Sequence, residues 1–65
     1  MNIDYLVSLF GDPGLQVIRI YDTATEKVLY YGEGDEIPEE LLYLDVESLD
    51  CISKDTLVIN VDTEG

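Results

Sequence analysis

Hydrophobic residues in the first ten positions recur at the spacing of an amphipathic helix. The apolar positions follow i, i+3, i+4 and i+7 and therefore share one face: Ile3, Leu6, Val7 and Phe10. Asn2 suits the N-cap, and Gly11 suits the stop, so the pattern predicts a helix over Asn2 to Phe10. Tyr5 and Leu9 form a second apolar pair. We expect them to pack on the rest of the fold, and the alternative is that they meet a partner.

The next two hydrophobic segments predict a β-hairpin. Leu15 to Tyr21 and Lys27 to Gly32 are rich in β-branched and aromatic residues, as strands are. The five residues between them fit a hairpin loop built on a type I turn. In the first strand Ile18 and Ile20 share one face, and Val17, Arg19 and Tyr21 share the other. Both faces are therefore at least partly apolar.

A helical turn and a second hairpin are predicted in the second half of the chain. Residues 35–42 resemble one turn of helix, with Pro38 at its first position. Tyr43 to Ile52 alternates at first, and a change of phase near Ser48 and Leu49 predicts a bulge or bend that turns Leu49 or Cys51 inward. Thr56 to Asp62 alternates most clearly, with Leu57, Ile59 and Val61 facing in and Val58, Asn60 and Asp62 facing out.

These elements predict one α+β domain over residues 1–65. The expected fold is a small antiparallel sheet of about four strands in two hairpins, with a short N-terminal helix and a one-turn helix between the hairpins. A chain of this size buries only about 60% of the surface that its unfolded form exposes. Because the core is small and both faces of the first hairpin are partly apolar, we expect a homodimer or a required protein partner.

Charge is the outlying property of the composition. Fifteen acidic residues against three basic ones give a net charge of −12, which repels nucleic acid and anionic membranes. A hydrophobic fraction of 46% nevertheless supplies a core, so the chain is expected to fold. The first residues lack a basic signal-peptide segment and no apolar run has the length of a membrane span, so the cytoplasm is the expected compartment.

The sequence contains no recognisable catalytic, metal or cofactor motif. Histidine is absent and Cys51 is the single cysteine, which excludes the usual zinc sites and His-activated nucleophiles. Cys51 is expected to pack as a small hydrophobe. The acidic residues lack the spacing of a calcium loop, and the Gly32–Gly34 segment lacks the lysine of a phosphate loop. We therefore predict no enzyme, no metal and no cofactor.

The acidic span from Glu33 to Asp50 is the candidate binding surface. It holds eight acids and no base, and two tyrosines beside the acids are expected to serve as anchors. The predicted partner-binding residues are Glu33, Asp35, Glu36, Glu39, Glu40, Asp45, Glu47, Asp50, Tyr31 and Tyr43. The expected partner is a protein with a basic nucleic-acid-binding surface, with no direct binding to nucleic acid or membrane.

Two alternatives stay open at this point. The acids can serve only as a solubilising surface, and Glu39 and Glu40 can simply favour the start of a helix through its dipole. The chain can also be a structural or regulatory interaction module that pairs with itself by a sheet edge or through Tyr5 and Leu9.

The order of hairpin, turn and hairpin resembles a known kind of protein. V-I-R-I-Y-D-T-A-T-E-K-V-L-Y-Y-G-E-G-D-E-I-P-E-E-L-L, continuing to T-L-V-I-N-V, is similar to short acidic proteins of bacterial phages and mobile elements. Some of these are anti-CRISPR or other anti-defence inhibitors, and several act as nucleic-acid mimics. The resemblance implies a non-enzymatic inhibitor and transfers no individual site residue.

Overall fold

The described residues form two helices and four strands in the order that the hydrophobic pattern predicts. The computed structural model describes residues 1–53 and 55–64, and within them the side chains of all but residues 13, 52 and 53. The helices are α1 (Ile3–Ser8) and α2 (Glu39–Leu42), and a short 3₁₀ turn covers Pro13–Leu15. The strands are β1 (Val17–Asp22), β2 (Lys27–Glu33), β3 (Ser48–Ser53) and β4 (Thr56–Val61).

The four strands form one mixed sheet in the order β2-β1-β4-β3. Both hairpins, β1–β2 and β3–β4, are antiparallel as predicted, and the α+β class is confirmed. The central pair β1–β4 is parallel, where an antiparallel sheet was expected throughout. The reason lies in residues 34–47, which leave β2 at one end of the sheet and enter β3 at the other. This crossing turns the second hairpin so that β4 runs alongside β1 in the same direction.

The core lies between the two helices and one face of the sheet. It is built from branched aliphatic side chains: Ile3, Leu6, Ile18, Ile20, Ile37, Ile59 and Val61. Ile3, Ile18, Ile20 and Ile59 are fully buried, and each such side chain contributes about 1.5–3 kcal/mol when it leaves water. The inward-facing residues predicted for the first helix and for β4 are therefore confirmed, although Val7, Phe10 and Leu57 are only partly buried. Ile18 and Ile20 share one face of β1, as predicted.

The N-terminal helix is capped as the sequence indicated, but its second apolar pair is not packed. Asn2 accepts a hydrogen bond from the Tyr5 backbone N–H at 2.8 Å. Tyr5 and Leu9 are 56% and 60% exposed, so the expectation that they pack on the fold is wrong. At about 100° per residue, Tyr5 and Leu9 lie about 160° and about 120° around the helix from the fully buried Ile3, so the sheet beneath the helix does not cover them.

Pro38 stands one position earlier than predicted. Its dihedral angles of φ −56° and ψ 140° are extended, so it precedes α2 as the N-cap residue and is not its first helical residue. Glu39 and Glu40 occupy the first turn of α2, as expected.

The segment 43–47 alternates as predicted but is not part of a strand. Leu44 and Val46 pack against the core, while Asp45 forms only an isolated bridge with Asn2. The Ile3 N–H donates to the Leu44 carbonyl at 3.0 Å, and the Val46 N–H donates to the Met1 carbonyl at 2.8 Å. The N-terminal residues thus bond this backbone, and the β3 ladder begins only at residue 48.

The predicted bulge near Ser48 and Leu49 is also wrong. The register of β3 and β4 shifts between Cys51 and Ser53. Leu49 pairs with Ile59 and therefore points toward the helix face, but it remains 46% exposed because β3 is an edge strand. Cys51 is exposed as well, so it does not pack as a small hydrophobe.

The face of the sheet opposite the helices is named the open face here. Its strand positions, read from the pairing register, are Val17, Arg19, Tyr21, Val28, Tyr31, Glu33, Ser48, Asp50, Thr56, Val58 and Asn60. Val58 and Asn60 are each only 8% exposed, although the sequence placed them on the outside. Their neighbours on β1 and β3 cover them in the middle of the open face.

Among the helices of the described residues, none is both long and apolar enough to cross a membrane.

Candidate functional site

Three of the predicted acids gather where β2 ends. One carboxylate oxygen from each of Glu33, Asp35 and Glu36 lies within 4.8 Å of the other two, and all three side chains are exposed. The backbone fixes this turn: the Gly34 N–H donates to the Gln16 carbonyl at 3.0 Å, and the Glu36 N–H donates to the Glu33 carbonyl at 3.2 Å. We call these three residues the acidic cluster.

Asp12 adjoins the acidic cluster, although it lies outside the acidic span predicted from the sequence. A Cβ atom on Gly14 would lie 3.0 Å from Asp35 Oδ2 and 3.5 Å from Asp12 Oδ1, so both carboxylates approach the same point. The pairing of Val17 with Glu33 brings the loop before β1 beside the turn after β2. Only the register of the β1–β2 hairpin could have predicted this proximity, and that register depends on the position of the irregularity between Ile20 and Tyr21.

The hydroxyl of Tyr30 lies next to the acidic cluster. It donates to the Glu33 carbonyl at 2.7 Å. Burial raises the pKa of Tyr30, and the negative charges of Glu36, Asp35 and Glu33 raise it further, because both disfavour a phenolate. Tyr30 therefore stays neutral and acts as a hydrogen-bond donor that holds the end of β2.

Other predicted acids lie outside the acidic cluster. Glu39 and Glu40 are exposed on the first turn of α2, where the helix dipole favours negative charge. Asp45 and Glu47 are exposed on the extended segment before β3. The Glu47 N–H donates to the Asn60 carbonyl at 2.8 Å, which ties this segment to β4.

Asp50 is held on the open face. The side-chain amide of Asn60 donates to Asp50 Oδ2 at 2.8 Å and to Ser48 Oγ at 3.1 Å. Because Asn60 is itself buried, it fixes the direction of the Asp50 carboxylate, which is exposed to solvent.

The two predicted tyrosine anchors are both exposed but belong to different parts of the fold. Tyr31 is 61% exposed on the open face, and Tyr43 is 70% exposed just after α2. The Tyr31 ring lies under the Arg19 guanidinium, 5.3 Å from ring centroid to Cζ, in a cation–π contact.

The described residues offer binding surfaces but no enclosed cavity. The carboxylate spacing in the acidic cluster would admit a divalent cation such as Ca²⁺. Its three side chains are exposed, however, and within the described part of the chain no unpartnered buried polar atom is available to complete such a site. The arrangement is suited to binding cationic groups of another macromolecule at a solvent-facing surface.

No protein-family model, curated protein or solved structure matches the chain.

Proposed function

We propose that this chain is a non-enzymatic inhibitor that occupies the nucleic-acid-binding surface of a basic bacterial protein. The supporting observation is the acidic cluster: three exposed carboxylates within 4.8 Å of one another on a chain of net charge −12. The choice of a defence protein such as a CRISPR effector follows from the resemblance to phage-encoded inhibitors.

The charge density of the acidic cluster is comparable to that of a nucleic-acid backbone. Duplex DNA carries one negative charge per about 1.7 Å of helix axis, and a protein that binds it presents Lys and Arg at matching intervals. Asp12 adds a fourth carboxylate on the neighbouring loop. A basic channel would therefore attract this end of the molecule at electrostatically steered rates.

The acidic cluster is also held in place before any partner binds. Its turn is anchored by backbone hydrogen bonds to Gln16 and Glu33, and the Tyr30 hydroxyl bonds the same Glu33 carbonyl. An ordered backbone loses less entropy on association than a disordered acidic tail does. This favours a folded mimic over a simple solubilising coat.

Capture followed by competition tests the proposal. The immobilised chain is exposed to a nuclease-treated bacterial lysate at low and at high salt, and each captured protein is then tested for binding to duplex DNA and to RNA. We expect a captured basic protein to be released by high salt, and its nucleic-acid binding to be lost when the chain is added, because both ligands use the same cations.

Two results would contradict the proposal. A captured protein that binds nucleic acid unchanged in the presence of saturating chain contradicts the proposal, as does capture that is insensitive to salt.

A second candidate function is a module that associates with itself. The observation that favours it is the open face, which carries apolar side chains and only two acids at its strand positions.

A further inference from the structure

Four residues form a row across the open face, one from each strand. Tyr31 on β2 pairs with Arg19 on β1, Arg19 pairs with Val58 on β4, and Val58 pairs with Asp50 on β3. From β2 to β3, the row therefore consists of an aromatic, a cationic, an aliphatic and an anionic side chain. Arg19 and Asp50 are separated by β4, at two strand spacings of about 4.8 Å each.

Both charged groups of this row are held in fixed directions. The Arg19 guanidinium leans over the Tyr31 ring, toward the β2 edge and away from Asp50. The Asp50 carboxylate accepts from the buried Asn60 amide at 2.8 Å. Each charge is thus held by a neighbour on the open face, and the two do not pair with each other within one copy.

Charge is unusually balanced on the open face. Its strand positions include one base, Arg19, and two of the fifteen acids, Glu33 and Asp50. The same positions carry five apolar side chains: Val17, Tyr21, Val28, Tyr31 and Val58. A second copy of this acidic chain would therefore meet little charge repulsion at the open face.

We propose that the open face binds a second copy of this chain, through a two-fold axis that runs parallel to the strands between β1 and β4. That rotation places β2 of one copy over the partner's β3 and β1 over the partner's β4. Arg19, which leans toward β2, then faces the partner's Asp50, and the symmetry forms this ion pair twice. An axis perpendicular to the strands would instead place like strands over each other and Arg19 near the partner's Arg19.

The size of the open face makes this a weak dimer. Four strands about 4.8 Å apart and about 20 Å long give roughly 400 Å² per copy, or about 800 Å² in total, below the roughly 1,200 Å² of stable complexes. The net charge of −12 on each copy also opposes association at long range. Added salt screens that repulsion, so the dimer strengthens as salt rises.

Sedimentation equilibrium on charge-reversed variants tests the proposal. The wild-type chain is expected to dimerise between about 10 μM and about 1 mM protein. Arg19→Asp and Asp50→Arg each place like charges opposite one another and are expected to weaken dimerisation by about tenfold or more. A 1:1 mixture of the two variants restores both ion pairs, and so does the double variant Arg19→Asp/Asp50→Arg.

Two control variants separate this geometry from general charge effects. Glu40→Arg changes the net charge by the same amount as Asp50→Arg, at an exposed position of α2 on the helix side of the sheet, and is expected to leave dimerisation unchanged or stronger. Leu9→Glu changes an exposed side chain of α1 on the opposite side of the sheet and is expected to have no effect.

Val28→Glu tests the open face at a mostly exposed position. Val28 is 51% exposed on the open face, so the substitution leaves the core intact and is expected to abolish dimerisation. Circular dichroism verifies the fold of every variant.

Three results with the wild-type chain and the charge-reversed variants would overturn the proposal. They are a wild-type chain that stays monomeric up to about 1 mM, single reversals that dimerise like the wild type, and a mixture that fails to restore association. Loss of dimerisation with Leu9→Glu would assign the interface to α1 and would likewise overturn it.

Discussion

Asp22 connects parts of the chain that are far apart in sequence. It is 2% exposed, and its carboxylate accepts four hydrogen bonds. Two come from the first hairpin, the Ala24 N–H at 3.0 Å and the Thr25 hydroxyl at 2.8 Å. Two come from Thr63, whose N–H and hydroxyl lie at 3.2 Å and 2.7 Å. One carboxylate therefore fixes the first turn against the end of the chain.

These bonds hold Asp22 in its charged form. The hydroxyl of Thr63 makes the largest contribution, and together with the Thr25 hydroxyl and the two N–H groups it lowers the pKa of Asp22 to about 2, although burial opposes the change. A carboxylate that accepts several hydrogen bonds is stabilised as the anion.

We expect Asp22→Asn to reduce the dependence of the free energy of unfolding on pH below about pH 4. Because the pKa of Asp22 is lowered in the folded state, its contribution to stability is fully present above the unfolded value of 3.8 and is lost as pH falls toward about 2. Urea denaturation from pH 7 down to pH 2 measures the difference. The variant should be less stable than the wild type at neutral pH, with the gap closing between about pH 4 and about pH 2. A gap that stays constant over this range would contradict the assignment.

Half of this arrangement is local in the sequence. Asp22 at the start of a hairpin loop predicts local bonds to backbone donors nearby, and the bond from Ala24 is of that kind. Thr63 stands 41 positions later, and only the parallel pairing of β1 with β4 brings it close. No local pattern contains that information.

At the scale of the elements, periodicity predicted best where an element buries one face against the core. The stripe of α1 and the alternation of β1 and β4 were right because Ile3, Ile20 and Ile59 are held by the same core. The errors fall at the edge of the sheet. Leu49 faces the helices as predicted but lies on the edge strand β3 and stays partly exposed. Residues 44–46 form backbone hydrogen bonds with residues 1 and 3 before β3 begins.

At the C-terminal end of edge strand β2, Tyr30 occupies a backbone carbonyl that an added strand would need. The Glu33 carbonyl accepts from both the Tyr30 hydroxyl and the Glu36 N–H, so it is not available to an added strand. A register shift opposite Ile20 and Tyr21 distorts the same strand further. Both features discourage pairing at this edge, which is consistent with association through the open face.

We expect Gly32→Ala to disturb the Tyr30 hydrogen bond. A Cβ atom at Gly32 would lie 2.8 Å from the Tyr30 hydroxyl oxygen and 3.1 Å from the adjacent ring carbon, so the ring must move and its bond to Glu33 is lost. Chemical denaturation should show a loss of about 1 kcal/mol, the usual net value of one hydrogen bond.

Gly11→Ala is the matched control for that substitution. A Cβ atom there has no neighbour within 4 Å among the described residues, so its effect should stay within about 0.5 kcal/mol of the wild type. Equal losses at both positions would show that the Tyr30 contact is not the cause.

At the scale of the whole molecule, the predicted acidic span divides among several places. Glu33, Asp35 and Glu36 form one cluster, while Asp50 lies on the open face. The linear sequence could show that acids are abundant between β2 and β3, but their grouping depends on how residues 34–47 cross the sheet. Asp12 lies in the loop before β1 and approaches the acidic cluster only through the pairing of β1 with β2, so it could not be assigned to the cluster in advance.

The two proposed surfaces are distinguishable by their response to salt. Binding of a basic protein at the acidic cluster weakens as salt rises, because attraction between opposite charges is screened. Dimerisation through the open face strengthens, because the repulsion between two chains of net charge −12 is screened. The opposite salt responses allow either proposal to fail without the other.

The most direct measurement of the central claim compares two triple variants of equal charge. Glu33→Lys/Asp35→Lys/Glu36→Lys reverses the acidic cluster, and Glu26→Lys/Asp62→Lys/Glu64→Lys reverses three exposed acids in other turns. Each leaves a net charge of −6. Their affinities for the nucleic-acid-binding protein captured from bacterial lysate are measured at one low salt concentration.

We predict that the first variant loses affinity by about a hundredfold and the second by less than about fivefold, because close, oriented charges determine binding more than total charge does. Equal losses in the two variants would show that the partner responds only to net charge, and would contradict the claim that the acidic cluster is the binding site.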